Sequence, residues 1–434
     1  MVELSQFAAA ADPDGYESMV LLGSSTGTFG APAGTPEQPR NLLVVFSRYD
    51  EFSALMWGAP IPRDIVGTDK LQTLFGTDDA VEVGKLYGDL RLGNARKLVM
   101  PAVTHPGDHL STEAIGAAAD WFEATLGHEG GGRRTWHVKE FATLAALIGL
   151  AWLTFPVLSR LLRVGPFAGI ERELPPPASV SRRRWLLRAG VAALVPAATF
   201  FPLQMLGNLI LPPTSVLGQQ ITNGIVVWAW GTALINLGIF LLWYRHQRPG
   251  LARLGLRAEP GIIGRSALLA VIVAGVLLAI VALAEYVLNV DFRFWVVALK
   301  VPSAVHLGLI VVYLPLFAAF FLALSLALHP PLRRDTSLAR AMWTNAAILS
   351  GGIVLLLLVQ YIPLLAGGTL ALASQPLLTI VAIQFVPLLA FVGLVSTYAY
   401  ERTGSIYTGA FLNALLVTWY IVAGTATQAV PFWY

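Results

Sequence analysis

Hydrophobic and polar positions follow two different rules along this chain. Up to about residue 127, short apolar runs of four to six residues alternate with stretches of helical spacing and with Gly- and Pro-rich turns. From Phe141 onward the apolar runs lengthen to about 20 residues, the thickness of a bilayer core. Eight such runs occur, at roughly 141–162, 186–210, 221–244, 265–288, 304–328, 343–365, 376–399 and 405–427. Each is expected to be helical, because lipid offers no partner to an unpaired backbone group. The expected layout is an α/β part at 1–127, a charged Gly-rich linker at 128–140 and an all-α polytopic membrane domain of about eight transmembrane helices at 141–434.

Within the first part, Val2–Ala11 reads as a helix stopped by Asp12-Pro13, and Ser18–Gly23 as a short strand. Thr26–Pro39, with three prolines and three glycines, reads as a loop. Leu42–Phe46 and Lys97–Ala102 are runs of strand composition. Between them the spacing predicts short helices and turns, foremost a helix at Ile65–Phe75. The last helix is expected at Ser111–Leu126, with Ser111 as N-cap and Gly127 just past its end.

Composition sharpens the division. Hydrophobic residues make up 56% of the 434, charged residues only 13%, and mean hydropathy is +0.65. Residues 1–137 carry ten Lys and Arg against eighteen Asp and Glu, and the remainder nineteen against eight. The basic excess thus lies in the membrane loops and implies a lipid partner, not nucleic acid. Sixteen arginines fall in alternate loops, among them Arg172, Arg183, Arg253, Arg333, Arg340 and Arg402, while the other loops hold only Arg293 and Lys300. This bias orients both termini, and the α/β part, toward the outer face of a cell membrane. There is no cysteine, which excludes disulfides, thiolate catalysis and Cys-ligated zinc.

The chemistry-bearing residues sit just past the two strand-like runs. Asp50 follows Leu42–Phe46, and His105 follows Lys97–Ala102, with His109 as an alternative four residues on. In an open parallel sheet, functional side chains collect beyond the carboxyl ends of the strands. The segments NLLVVFSRYDEF and VMPAVTHPGDHLSTEAIGAAADWF resemble the acid and histidine turns of the α/β-hydrolase family, over roughly residues 1–127. The resemblance implies that Asp50 orients the imidazole and that His105 is the general base activating a serine, for an ester or amide substrate.

Gly23-Ser24-Ser25-Thr26-Gly27 matches the letters of a nucleophile elbow with Ser25 as nucleophile, but the Thr26–Pro39 loop stands where the elbow's helix belongs. The resemblance therefore leads us to expect the nucleophile upstream of Met1. The rival expectation is a hydrolase-derived membrane protein without catalysis, serving binding or assembly. No cofactor motif is present. The His105–His109 spacing suits a metal only on a helix, which Pro106 and Gly107 oppose, so no metal is expected. ERTGSIYTGAFLNALLVTW, in the last span, is similar to the closing segment of the CAAX-protease and bacteriocin-processing membrane family. Asn413 stands where that family's metal-ligating histidine would be and Val417 where its asparagine would be, so metal-dependent intramembrane proteolysis is not expected.

Overall fold

The computed structural model describes residues 2–127, 135–177, 180–247, 254–256, 259–295 and 297–424. Most of the expected 128–140 linker, Arg248, Arg253, Arg257 and the end of the last expected span lie outside them. Two compact units result: Met1–His137 with Leu358–Ile380, and Val138–Leu357 with Val381–Tyr434.

In the first unit, α1 (Val2–Ala11) precedes β1 (Met19–Leu22) and β2 (Leu42–Val45); α2 (Ser53–Trp57) and α3 (Asp69–Phe75) follow. Next come β3 (Leu86–Tyr87), β4 (Arg96–Val99) and α4 (Thr112–Leu126). The sheet order is β1-β2-β4-β3, with β1, β2 and β4 parallel and the two-residue β3 antiparallel at the edge. Val44 pairs with Leu21 on one side and Leu98 on the other.

Every residue of β2 is buried, as expected of a central parallel strand covered on both faces. Its alternate side chains serve two cores. Leu42, Val44 and Phe46 pack with Trp57, Leu71 and Leu74, whereas Leu43 and Val45 pack with Ala114 and Trp121 of α4. Burying each such side chain is worth about 1.5–3 kcal/mol, so this strand anchors the unit. Trp121 adds a hydrogen bond from Nε1 to the Asn41 carbonyl, 2.8 Å. Ser111 caps α4 by accepting the Ala114 N–H, and Gly127 ends it in the left-handed region.

The expected helix at Ile65–Phe75 is divided: Pro62–Gly67 forms a 3-10 turn, and α3 begins only at Asp69, capped by the Thr68 hydroxyl. Pro62 suits the first turn, and the Thr68 cap supplies a new start. Arg96 is buried, and its guanidinium donates to the carbonyls of Leu74, Ala95 and Thr35.

The second unit is helical, and with the first it brings the helices long and apolar enough to cross a membrane to eight among the described residues, making the chain an integral multi-pass membrane protein. They are α5 (Trp136–Leu162), followed after the one-turn α6 (Gly165–Ala168) by α7 (Arg182–Ile210), α8 (Gln220–Gln247), α9 (Pro260–Leu288), α10 (Ala304–Leu332), α11 (Leu338–Leu365), α12 (Pro376–Thr403) and α13 (Tyr407–Trp419), the last continued by a π turn to Gly424. Several start earlier than their apolar runs, because a lipid-length window locates only the apolar middle and the basic ends stay helical.

A two-stranded hairpin, β5 (Phe292–Phe294) and β6 (Val297–Leu299), fills the α9–α10 connection, where Arg293 pairs with Asp291 at 2.9 Å. His306 completes a capping box with Ser303 at the start of α10. Helices α7 and α8 touch through glycines: a Cβ on Gly207 would lie 2.7 Å from the Gly224 Cα. Small residues of this kind let helix backbones approach in lipid. Asn413 is buried and donates to the Val392 carbonyl at 3.2 Å, a helix-packing role.

Candidate active site

The ladder between β2 and β4 continues past the strands and positions the site. Arg48 N–H donates to the Pro101 carbonyl and Tyr49 N–H to that of Val103, and Tyr49 and Thr104 form a parallel bridge. The next residue on each chain is Asp50 and His105. Two neighbouring parallel strands thus deliver an acid and an imidazole at the same level beyond the sheet.

Asp50 Oδ2 lies 2.9 Å from His105 Nδ1, while Oδ1 accepts the Phe52 N–H at 2.8 Å. The acid side chain is wholly buried and the imidazole partly open. The Phe52 ring meets the imidazole edge-on, 4.9 Å between centroids. Gly23, at φ 61°, lies against the imidazole, and a Cβ there would come within 2.8 Å of Nδ1 and Cε1.

Two further carboxyls surround the pair, and the sequence reading passed over both. Glu51 Oε2 accepts the His105 backbone N–H at 2.8 Å, and Oε1 accepts the Tyr361 hydroxyl at 2.6 Å. Asp108 accepts the Ser47 hydroxyl through Oδ1, while its buried Oδ2 has no hydrogen-bond partner. Burial pushes Glu51 up to about 7 and Asp108 up to about 7. Burial opposes charge on His105, but the hydrogen bond and charge of Asp50, helped by Glu51 and Asp108, outweigh it and raise the imidazole above its ordinary value. Three carboxyls beside one imidazole cannot all ionise cheaply, and burial favours the neutral form of Glu51 and Asp108. Asp108 could have been noticed three residues after His105. Nothing local pointed to Tyr361.

His109 lies in the same 3-10 turn, His105–Leu110, but is exposed, and the bond to Asp50 is made by His105. Ser25 is not brought to the imidazole. Its hydroxyl meets Thr28 Oγ1 and accepts from Lys70 Nζ at 3.1 Å. Lys70 also donates to Thr28 Oγ1 and the Met56 carbonyl, so its three N–H groups are used and the ammonium clamps the loop instead of serving as a base. No helix follows Ser25 before β2. Among the described residues, no serine or threonine hydroxyl hydrogen-bonds to the His105 ring.

One group from Asp50, His105 and Asp108 could in principle hold a metal, each offering a ligand atom within 4.8 Å of the others. His105 Nδ1 and Asp50 Oδ2 hydrogen-bond to each other. The arrangement therefore suits proton transfer, with Asp50 fixing the tautomer and Nε2 left as the basic atom. Comparison of the chain with family models, with curated proteins and with solved structures finds no match in any of the three.

Proposed function

We propose that this protein is a membrane-anchored hydrolase of the serine-hydrolase type, in which Asp50 orients His105 and His105 acts as general base toward an ester or amide substrate. The observation that carries the reading is the 2.9 Å Asp50–His105 bond at the ends of two adjacent parallel strands. The elevated imidazole and the buried, charge-stabilising Asp50 fit a base that must hold a proton transiently. The nucleophile comes from a hydroxyl other than Ser25. The arginine-poor loops, which include the one between α11 and α12, support the reading that the site faces the outer side of the membrane.

The test uses the protein expressed in its native membrane from its own gene, with hydrolysis of short acyl esters as the readout. His105→Ala should reduce turnover on the order of 10³-fold or more, and Ser25→Ala should leave it near wild type. Unchanged turnover in the His105 variant, or none in the wild type, overturns the reading.

A second reading is favoured by one observation, the lack of a described hydroxyl on the imidazole. In it the unit is a hydrolase-derived binding module without catalysis. It predicts no labelling by a serine-reactive fluorophosphonate, whereas labelling that depends on His105 rejects it.

A further inference from the structure

The end of the second unit that carries the arginine-rich loops contains a polar cavity of about 190 Å³, many times the space one water needs. It lies where α10 gives way to α11. Its floor holds the buried His329 and Asn345, its wall Trp185 of α7, and its rim Arg333, Arg334 and Arg340.

The three guanidinium groups differ in how they are used. Arg333 is committed: it pairs with Glu401 at 3.1 Å and donates to the Pro175 carbonyl at 2.8 Å. Arg334 lies over the Trp185 ring, 5.1 Å from its centroid, and Trp185 is itself held by a bond from Nε1 to the Leu332 carbonyl, 2.8 Å. Among the described residues, neither Arg334 nor Arg340 pairs with a carboxylate. Of the two lining acids, Glu401 is paired with Arg333, and Asp335 is the one left to oppose them. Against it stand two exposed guanidinium groups, the hydroxyls of Thr336 and Thr344, and the first turn of α11, whose free N–H groups and dipole favour an anion.

A preformed cavity with two arginines free of carboxylate partners among the described residues, hydroxyl groups and an interfacial tryptophan matches a tetrahedral oxyanion. Its position at the ends of membrane-spanning helices is also the level of lipid head groups, where basic pockets between helices meet anionic lipid. We propose that this pocket binds a phosphate ester group through Arg334 and Arg340, carried either by an anionic phospholipid head or by a free phosphate ester.

The full chain in neutral detergent is titrated calorimetrically with dihexanoyl phosphatidylglycerol, with glycerol 3-phosphate and with dihexanoyl phosphatidylcholine. Saturable binding of the phosphatidylglycerol, weakened at least tenfold in the Arg334→Gln, Arg340→Gln double variant, is the expected result. Both arginines are exposed, so the double variant should keep its helical circular dichroism and melting temperature. Comparable binding of glycerol 3-phosphate supports the proposal with the free ester as the source, whereas binding of the lipid alone supports it with the membrane as the source. Equal affinity for phosphatidylcholine, no saturable binding of either anionic probe, or an unaffected double variant overturns it.

Discussion

Tyr49 and Thr104 form the last parallel bridge between the extensions of β2 and β4, and the residue after each is a member of the acid–histidine pair. The sheet's register therefore sets the distance between Asp50 and His105. Because the strands are parallel neighbours, side chains one step past the bridge emerge side by side, and little loop entropy opposes their hydrogen bond.

Removing the charge of Asp50 should be felt first by the imidazole. Asp50→Asn keeps the size of the group but loses the anion, so His105 should titrate lower, with burial then the dominant influence. Chemical shifts of the His105 ring against pH measure this directly. Ester hydrolysis should fall on the order of 10³–10⁴-fold, and an unmoved titration would mean that Asp50 does not govern the imidazole.

Glu51 and Asp108 make the first unit sensitive to pH. Both titrate at about 7 when folded, raised from 4.5 and 3.8. Between those lower values and about 7 the folded chain holds protons that the unfolded chain has released. Stability is thus fully present below the window and is lost as pH rises through it, by about 3–4 kcal/mol at most for each group. Amides of β2 and β4 should be better protected from hydrogen exchange at pH 5 than at pH 8, after correction for intrinsic rates. Glu51→Gln should flatten the difference, and equal protection in the wild type would refute the prediction.

Gly23 should tolerate no side chain. Alanine there incurs about 1–2 kcal/mol for the left-handed backbone and, in addition, pushes on the imidazole from 2.8 Å. Gly58, at φ 77° with open space around it, supplies the comparison, since Gly58→Ala bears the backbone cost alone. The Gly23 variant should melt lower than the Gly58 variant and lose the downfield Nδ1 proton signal of the Asp50–His105 bond. Retention of that signal would show that the imidazole has room to yield.

Tyr361→Phe removes the only side-chain donor that Glu51 has among the described residues. The tyrosine bond holds the carboxyl lower than burial alone would, so without it Glu51 should titrate higher and the first unit should lose about 1–2 kcal/mol above neutral pH. The pH profile of hydrogen exchange in β2 reads both effects, and a profile identical to wild type would contradict the role assigned to this bond.

Gly207→Val should weaken the packing of α7 on α8, because its Cβ would press on backbone that has no rotamer through which to escape. A loss of about 1–3 kcal/mol is expected for such overpacking, visible as a lower melting temperature in detergent. An unchanged melting temperature would mean that the two helices separate without cost.

Much of this architecture is legible in the residues alone, for reasons of local physics. Lipid thickness and the need to pair every backbone group make eight 20-residue apolar runs into eight helices with little ambiguity. A continuous run of aliphatic and β-branched residues reveals β2, and Ser111 and Gly127 mark the ends of α4. Asp50 and His105 stand out because each follows a strand by a few residues. What escapes is whatever carries no local period: the two-residue β3, the β5–β6 hairpin, and the break in the Ile65–Phe75 stretch.

The tertiary structure decided the rest, since it depends on groups far apart in sequence meeting in a dry place. Ser25 has the letters of a nucleophile, yet its hydroxyl hydrogen-bonds to Lys70 and Thr28 and not to the imidazole. Glu51 and Asp108 look like ordinary surface acids until burial raises them toward neutrality, and the Glu51 partner, Tyr361, lies 310 residues along the chain. Periodicity reports which face of an element is buried. Which polar groups share that burial is set by loop paths and long-range packing, and these leave no repeating mark in the chain.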